Sequence, residues 1–335
     1  MASMKDISEV CGVSIATVSK ALNDHTDIGE KTKQHIREVA KQLGYSPNAA
    51  AKALKTRRSY NLGILFVDKA NNGLTHEHFS LVLDFFKQKV ESKGYDITFI
   101  STNTINHASY LEHAKYRGFD GVLIACVDFD DPEVKELAAS DIPMVTVDYA
   151  FPNHTTVISN DEQGIRDLLN YCYQMGHRRI AYVYGGASSV TDKRLGAFRR
   201  TAAELGLDLP EEYLLASEYR KTDPNRERTL QLLALPKPPT CIFYPDDFAA
   251  LGGIDASTTR GLRIPDDISV VGYDGVRWTR HLTPHLTTLR QNAELIGTTA
   301  AEKLIETIEH PKESKVAQII IDGKVYVGGS VKRLS

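Results

Sequence analysis

Two hydrophobic periods divide the chain. Up to about residue 45, apolar positions recur three and four apart. From residue 61, short apolar runs alternate with helix-length amphipathic stretches. In the first part, Ser3 caps a helix that begins at Met4, and Asp6 sits at the capping-box spacing. Ile7 and Val10 give that helix an apolar stripe. Gly12 falls where the turn into a second helix wants positive φ, and Ser8 and Cys11 are small enough for close helix approach. Ser14 caps the second helix, in which Ile15, Val18 and Leu22 share one face. The other face carries Ala16, Thr17, Ser19, Lys20 and Asn23. A third helix is expected over 30–43, with Thr32, Ile36, Val39, Ala40 and Leu43 turned towards the first two and Gly44 ending it.

Residues 47–58, PNAAAKALKTRR, favour helix through their alanines. Ten residues or so is less than the ~12–15 at which such a helix is stable alone in water, so this segment forms one only when something holds it.

From Asn61 the pattern is NLGILFV, a helix over 79–94, then strands YDITFIS, GVLIACV and PMVTVDY with helices between them. Helices over 161–175, 191–205, 224–235 and 247–260 then alternate with strands over 179–185, 213–216, 240–245 and 268–274. This alternation predicts parallel sheets with right-handed crossovers, in too many strands for one modest sheet, hence two Rossmann-like subdomains.

Charge is distributed unevenly. Residues 1–60 hold ten Lys/Arg and six Asp/Glu, a net of +4, while the rest of the chain carries −7. A basic head on an acidic body is the footprint of a nucleic-acid contact confined to the head, whose second helix has side chains suited to a major groove. Cys11, Cys126, Cys172 and Cys241 lack CxxC spacing and are read as free thiols in a reducing compartment. The N-terminus has no signal-peptide pattern and no run has the length of a membrane span.

Catalytic signatures are missing: there is no GxxxxGK[ST], no GxGxxG after the first strand and no GxSxG. His76-Glu77-His78 cannot turn three consecutive donors on one ion, so neither metal nor cofactor is expected. The strand ends, where doubly wound sheets bind ligands, carry Asp128, Asp148, Asp246, Asp247 and Asp274. Any one of these could serve as a helix cap. Together in a cleft they would accept paired hydrogen bonds from vicinal hydroxyls, with Phe79, Tyr149, Phe248 and Trp278 as stacking platforms.

VSIATVSKALN (13–23), followed by KQLGYSPN (41–48), resembles the head of the lactose-repressor (LacI/GalR) family of bacterial transcription regulators, and the resemblance runs over nearly the whole chain. It implies a small all-α helix-turn-helix headpiece (1–46), a hinge helix or linker (47–60) and an α/β periplasmic-binding-protein-like core (61–335). The core would hold two Rossmann-like subdomains, about 61–159 with 291–319 and about 160–290 with 320–335. DNA contacts are implied at Ser3, Ser14, Ile15, Ala16, Thr17, Ser19, Lys20, Asn23 and Thr32, and at Asn48, Ala51 and Leu54 of the hinge, where Leu54 matches a leucine that wedges into the minor groove. Effector contacts are implied at Asn72, His76, Phe79, Asp148, Arg194 in RLGAF, Asp246 and Asp247 in PDDFAALG, Asp274 in VVGYDG, and Gln291 in LTTLRQ. The expected partners are a pseudo-palindromic operator duplex, a second copy of the chain and a sugar or sugar derivative, in the bacterial cytoplasm. A protein corepressor in place of the sugar is the alternative. Gly275, Asp246 and Ala125 depart from the family's usual residues and leave the sugar open; Lys20 in place of arginine weakens the case for a bidentate guanine contact. No leucine heptads follow VYVGGSVKRLS, so a dimer is expected in place of a tetramer.

Overall fold

The computed structural model describes residues 2–46, 58–67, 73–101 and 109–334. The chain forms two compact units, Met1–Ser59 and Tyr60–Ser335.

The first unit is a three-helix headpiece. Helix α1 (Met4–Cys11) begins at a complete capping box: the Ser3 hydroxyl accepts from Asp6 N, and the Asp6 carboxylate accepts from Ser3 N at 2.7 Å. Gly12, at φ +64°, turns the chain into α2 (Ile15–Leu22), capped by Ser14. Helix α3 (Glu30–Gln42) follows. Ile7, Val18, Ala21, Ile36, Val39 and Ala40 make the core.

Three inward faces differ from expectation, the first on α1, where Val10 is 61% exposed. Ile15 is 49% exposed, and Ala21 takes its place against α1 and α3. On α3, Thr32 is exposed and Leu43 is 38% exposed, while Lys33 is buried. Lys33 lies one turn before Ile36, and its ammonium reaches Glu30 at 2.8 Å and Asp24 at 3.1 Å, so the aliphatic stem packs inward with the charge satisfied at the edge.

The second unit contains two six-stranded sheets. Strands β1 (Asn61–Phe66), β2 (Asp96–Phe99), β3 (Gly121–Ala125), β4 (Met144–Val147), β5 (Thr155–Ser159) and β11 (Gln318–Ile321) form the first, in the order β11-β5-β4-β3-β1-β2, all parallel. Strands β6 (Ile180–Tyr184), β7 (Leu214–Ala216), β8 (Cys241–Phe243), β9 (Ser269–Asp274), β10 (Thr287–Arg290) and β12 (Lys324–Tyr326) form the second, in the order β12-β10-β9-β8-β6-β7, with only β12 antiparallel. The chain passes between sheets three times, after β5, after β10 and between β11 and β12.

Helices α4 (Glu77–Glu91), α5 (Tyr110–Arg117) and α6 (Pro132–Ala138) belong to the first sheet, and α7 (Asp161–Gln174), α8 (Ser189–Glu204), α9 (Thr222–Leu233) and α10 (Asp247–Thr259) to the second. Helix α11 (Ala293–Glu309) returns to the first sheet. It lies against α4, where Gly297 leaves room: a Cβ there would sit 2.3 Å from the Val82 carbonyl oxygen. Leu62, Ile64, Val82, Phe86, Val145 and Leu304 are fully buried between them, each burial stabilising by roughly 1.5–3 kcal/mol. In both sheets the strand order reverses beside the first strand, β1 in one and β6 in the other, and such switch points open a crevice at the carboxyl ends of the strands.

Candidate functional site

In the headpiece, α2 presents Ile15, Ala16, Lys20 and Asn23 to solvent. Several of their polar groups have local partners. Ser14 and Thr17 hydroxyls lie 2.9 Å apart, Asn23 Nδ2 donates to the Ser19 carbonyl at 2.7 Å, and the Lys20 ammonium pairs with Asp27. The Ser3 hydroxyl is held in its capping box. Helix start and turn therefore consume much of the hydrogen-bonding capacity of the unliganded face, and Thr32 stands exposed on α3. Asn48, Ala51 and Leu54 lie outside the described residues, as does Asn72 of the core.

In the core, the carboxyl ends of both sheets contribute to one cleft. Asp148 follows β4 at φ +67°, and Asp274 ends β9 at φ +104°. Aspartate tolerates such backbone better than most residues, and Asp148 Oδ1 accepts from Ser159 N at 3.4 Å. Asp274 Oδ1 accepts from Gln291 Nε2 at 2.7 Å, and Gln291 Oε1 accepts from the Ser159 hydroxyl, so β9, the exit of β10 and the end of β5 share one hydrogen-bonded chain. Arg194, on α8, donates through Nε to Asp161 at 2.7 Å and through Nη1 to the Pro245 carbonyl at 3.1 Å, with its guanidinium 3.6 Å from the Tyr273 ring centroid. Tyr273 donates its hydroxyl to the same Asp161 at 3.1 Å.

Burial shifts the acids upward. Desolvation and the neighbouring Asp161 charge push Asp148 up to about 7. Desolvation raises Asp246 and Asp274 to about 6 each, with mutual repulsion adding to the effect on Asp246. The histidines shift the other way. Burial and the Arg220 charge take His76 down to about 2, and burial and the Arg194 charge take His78 down to about 4. Phe79 lies between these two rings, 4.9 Å from His76 and 5.2 Å from His78 by centroid.

Three buried donors or acceptors in this region have no hydrogen-bond partner: His76 Nδ1, His78 Nε2 and Arg220 Nε. Buried polar atoms are rarely left so unless a ligand or water completes them. Arg220 also spans the cleft, donating through Nη2 to the Thr75 carbonyl at 2.9 Å, and Arg277 N donates to Glu77 Oε1 at 2.7 Å. Next to the Asp274–Gln291 pair is a cavity of ≈ 290 Å³ that His78 also lines.

Of the sequence-derived set, His76, Phe79, Asp148, Arg194, Asp246, Asp274 and Gln291 are linked by these contacts and charges. Asp246 is also the cap of α10, accepting from Ala249 N and Arg220 N at 2.7 Å each. Asp247 requires correction as a ligand residue. It is fully buried, its oxygens accept from Val276 N at 2.9 Å and Thr288 Oγ1 at 2.6 Å, and it is wedged beneath Gly272, where a Cβ would be 2.1 Å from Oδ1. Tyr149 is likewise taken up by packing, stacked on Phe129 at 4.5 Å. Phe248 and Trp278 meet edge to face at 6.5 Å, and Arg220 lies 5.3 Å from the Phe248 centroid. Asp161, Arg220 and Tyr273 were not among the sequence-derived residues, and His78 was taken up only with His76 and Glu77. His78 had a signal: it stands four residues before Val82 on the inward stripe of α4. Among the described residues no group of three His, Cys, Asp or Glu could hold a metal, and no helix is long and apolar enough to cross a membrane.

Comparison with known proteins agrees with this architecture. The model for bacterial regulatory proteins of the lacI family matches residues 3–48, and that for a periplasmic binding protein-like domain matches residues 169–331. The protein named "Probable HTH-type transcriptional repressor ExuR" of Bacillus subtilis (strain 168) is 31% identical over 339 residues, spanning 100% of both chains. The HTH-type transcriptional repressor PurR of Mannheimia succiniciproducens is 30% identical, again over 100% of both. Among solved structures, the lac repressor dimer bound to operator and the anti-inducer ONPF superposes with a TM-score of 0.83 at 23% identity, covering 99% of each chain. The CelR–cellobiose complex gives 0.71 at 21% identity, covering 98% of this chain and 100% of that one. With full-length relatives at this identity, and a headpiece and two-sheet core of the kind just described, the chain belongs to the LacI family of bacterial regulatory proteins, as a DNA-binding transcriptional repressor.

Proposed function

We propose that the chain acts as a cytoplasmic homodimer that represses a carbohydrate-utilisation operon, and that a small sugar-like effector in the core cleft sets its affinity for a pseudo-palindromic operator. The observation that carries this reading is the cleft itself. Uncommonly basic carboxyls, Asp148 and Asp274, stand at the tips of two sheets, with unpartnered nitrogens of His76, His78 and Arg220 beside them. Beyond the donors they have in Ser159 N and Gln291 Nε2, these carboxyls can accept further hydrogen bonds from vicinal hydroxyls, which also supply the partners such nitrogens lack. The structure of CelR with cellobiose supports a sugar in this fold, and the operator-bound lac repressor dimer supports the DNA partner and the dimer.

In this proposal residues 1–46 read the major groove through the exposed face of α2, 47–60 act as a hinge, and Leu54 wedges the minor groove. The core at 61–335 needs no catalytic chemistry. Effector binding across the cleft changes how the two copies present their hinges, and a coupling of ~1–3 kcal/mol alters operator affinity by about 5–150-fold.

The test is a thermal-shift screen of the full chain against mono- and disaccharides and their phosphates, with operator affinity measured beside it. A stabilising sugar whose effect disappears in Asp274→Ala bears the reading out. Intact operator binding with no shift across the panel turns the reading to a protein corepressor or to an effector outside carbohydrates. Leu54→Ala is expected to weaken operator binding while leaving effector affinity unchanged; equal operator affinity in both proteins removes the wedge.

A further inference from the structure

The antiparallel end of the second sheet concentrates positive charge. Arg290 on β10 stands directly opposite Lys324 on β12, so both side chains leave the same face of the pair. Tyr326, two residues beyond Lys324, shares that face, and the Arg280 guanidinium lies 5.3 Å from its ring centroid. Like charges directly opposite in a sheet are destabilising. Here the arrangement is not relieved internally: among the described residues no carboxylate forms an ion pair with Arg277, Arg280, Arg290 or Lys324.

These four cations line the ≈ 290 Å³ cavity that Asp274, Gln291 and His78 also line. Two further acids border it, and both have other roles. Asp322 accepts from Asn160 Nδ2 at 2.7 Å across a chain crossing, and Glu294 occupies the first turn of α11, where a helix start favours negative charge. Gly275 is part of the same construction. At φ +69° it leaves space for Arg290, whose Cα lies 2.4 Å from where a Cβ would be. The lining is thus mixed in charge: Asp274, Gln291 and the unpartnered imidazole nitrogen of His78 share it with guanidinium and ammonium groups that have no ion-pair partner among the described residues, and Arg290 is the cross-strand neighbour of Asp274. Its volume, near the ~300 Å³ lower end for ligand pockets, suits a single sugar-sized body.

We infer that the effector is a sugar bearing an anionic group, a carboxylate or a phosphate, with hydroxyls on Asp274, Gln291 and His78 and the anion received by Arg290, Lys324 and Arg280. This rests on the proposal that the cleft is the effector site. It makes β12, which adds a lysine to the edge of an otherwise parallel sheet, the element that selects for charge.

The test compares anionic sugars with their neutral parents on the full chain: D-glucuronate and D-glucose 6-phosphate against D-glucose, and D-galacturonate against D-galactose, by thermal shift and calorimetry. One of the acids is expected to raise the melting temperature where its neutral parent does not, with affinity falling as salt rises. Which acid does so separates carboxylate from phosphate. Arg290→Gln and Lys324→Gln should each weaken that acid by about tenfold or more, the loss of one charge-assisted hydrogen bond. Without ligand, both variants should melt at or above the wild-type temperature, because a like-charge pair is gone. Neutral sugars bound as tightly as acids, or acid binding unchanged in both variants, overturns the inference and leaves the sugar-effector reading standing. Failure of every sugar, acid or neutral, overturns both. A changed monomer–dimer equilibrium with acid binding unaltered also overturns it, assigning the cations to the partner subunit.

Discussion

Arg194 tests whether the cleft's inner wall is structure, ligand site or both. Arg194→Met removes the counter-charge of Asp161, both side chains being about 95% buried. Stripping one partner from a buried pair costs ~3–5 kcal/mol. The geometry places this case at the low end. Asp161 keeps the Tyr273 hydroxyl at 3.1 Å and its place in the first turn of α7, while the Pro245 carbonyl loses a donor at 3.1 Å. We expect about 3 kcal/mol, or a melting-temperature drop of roughly 6–12 °C for a unit of this size. The double variant Arg194→Met/Asp161→Leu should recover most of that loss, since an apolar replacement of a buried pair is often neutral. Effector-induced stabilisation should be absent from both variants. Urea and thermal unfolding at neutral pH read the first effect, and the sugar screen reads the second. A single variant within 1 kcal/mol of wild type, or a double variant no more stable than the single, refutes the reasoning.

Three further outcomes follow from the geometry. Asp148 has a folded pKa of about 7 against an ordinary value of 3.8, so its contribution to stability is present below the ordinary value and lost as pH rises through 7; Asp148→Asn should therefore melt above wild type at pH 8, the two converging by pH 4, and a constant difference across that range rules the shift out. Ser14→Ala removes the cap of α2 at a cost of about 1 kcal/mol, so hydrogen exchange of the α2 amides should accelerate about fivefold in the full chain, and unchanged exchange denies the cap its role. Gly275→Ala forces a Cβ into the Arg290 backbone at φ +69°, and should lower the melting temperature by several degrees, read by calorimetry; an unchanged transition means that the turn can relax.

Most strands and helices from 61 to 274 were legible because parallel strands buried on both faces read as unbroken apolar runs, and GVLIA of β3 is buried at every position; β5, TTVIS, escaped because only two of its five residues are apolar. What escaped is short or ambiguous. Thr287–Arg290 and Gln318–Ile321 are strands of four residues each whose pairing is set by distant partners. In the headpiece, periodicity alone could not distinguish Ile15 from Ala21, because a first-turn residue can point past the end of its neighbour helix. Lys33 was missed because charge is expected outside, and its two carboxylate partners are visible only in space. In the cleft, the acids were legible at strand ends, but the difference between Asp274, which lines the cavity, and Asp247, held beneath Gly272, depended on the β9–β10 register and on Gly272. Arg220 lies in an irregular connection before α9, where no pattern precedes it.

The return of α11 to the first sheet has a consequence during synthesis. The fifth strand of that sheet ends at Ser159, yet the helix that covers α4 begins at Ala293, about 130 residues later. At 5–20 residues per second, the ribosome takes roughly 7–26 s to supply it. Over that interval Val82 and Phe86 lack their cover, while the strands and helices of the other lobe up to β10 are already complete. The lobe begun first thus waits longest for its cover. A chain cut short between residues 290 and 293 carries a nearly whole second lobe beside a first lobe with an open apolar flank, which makes such a fragment a candidate for aggregation and proteolysis.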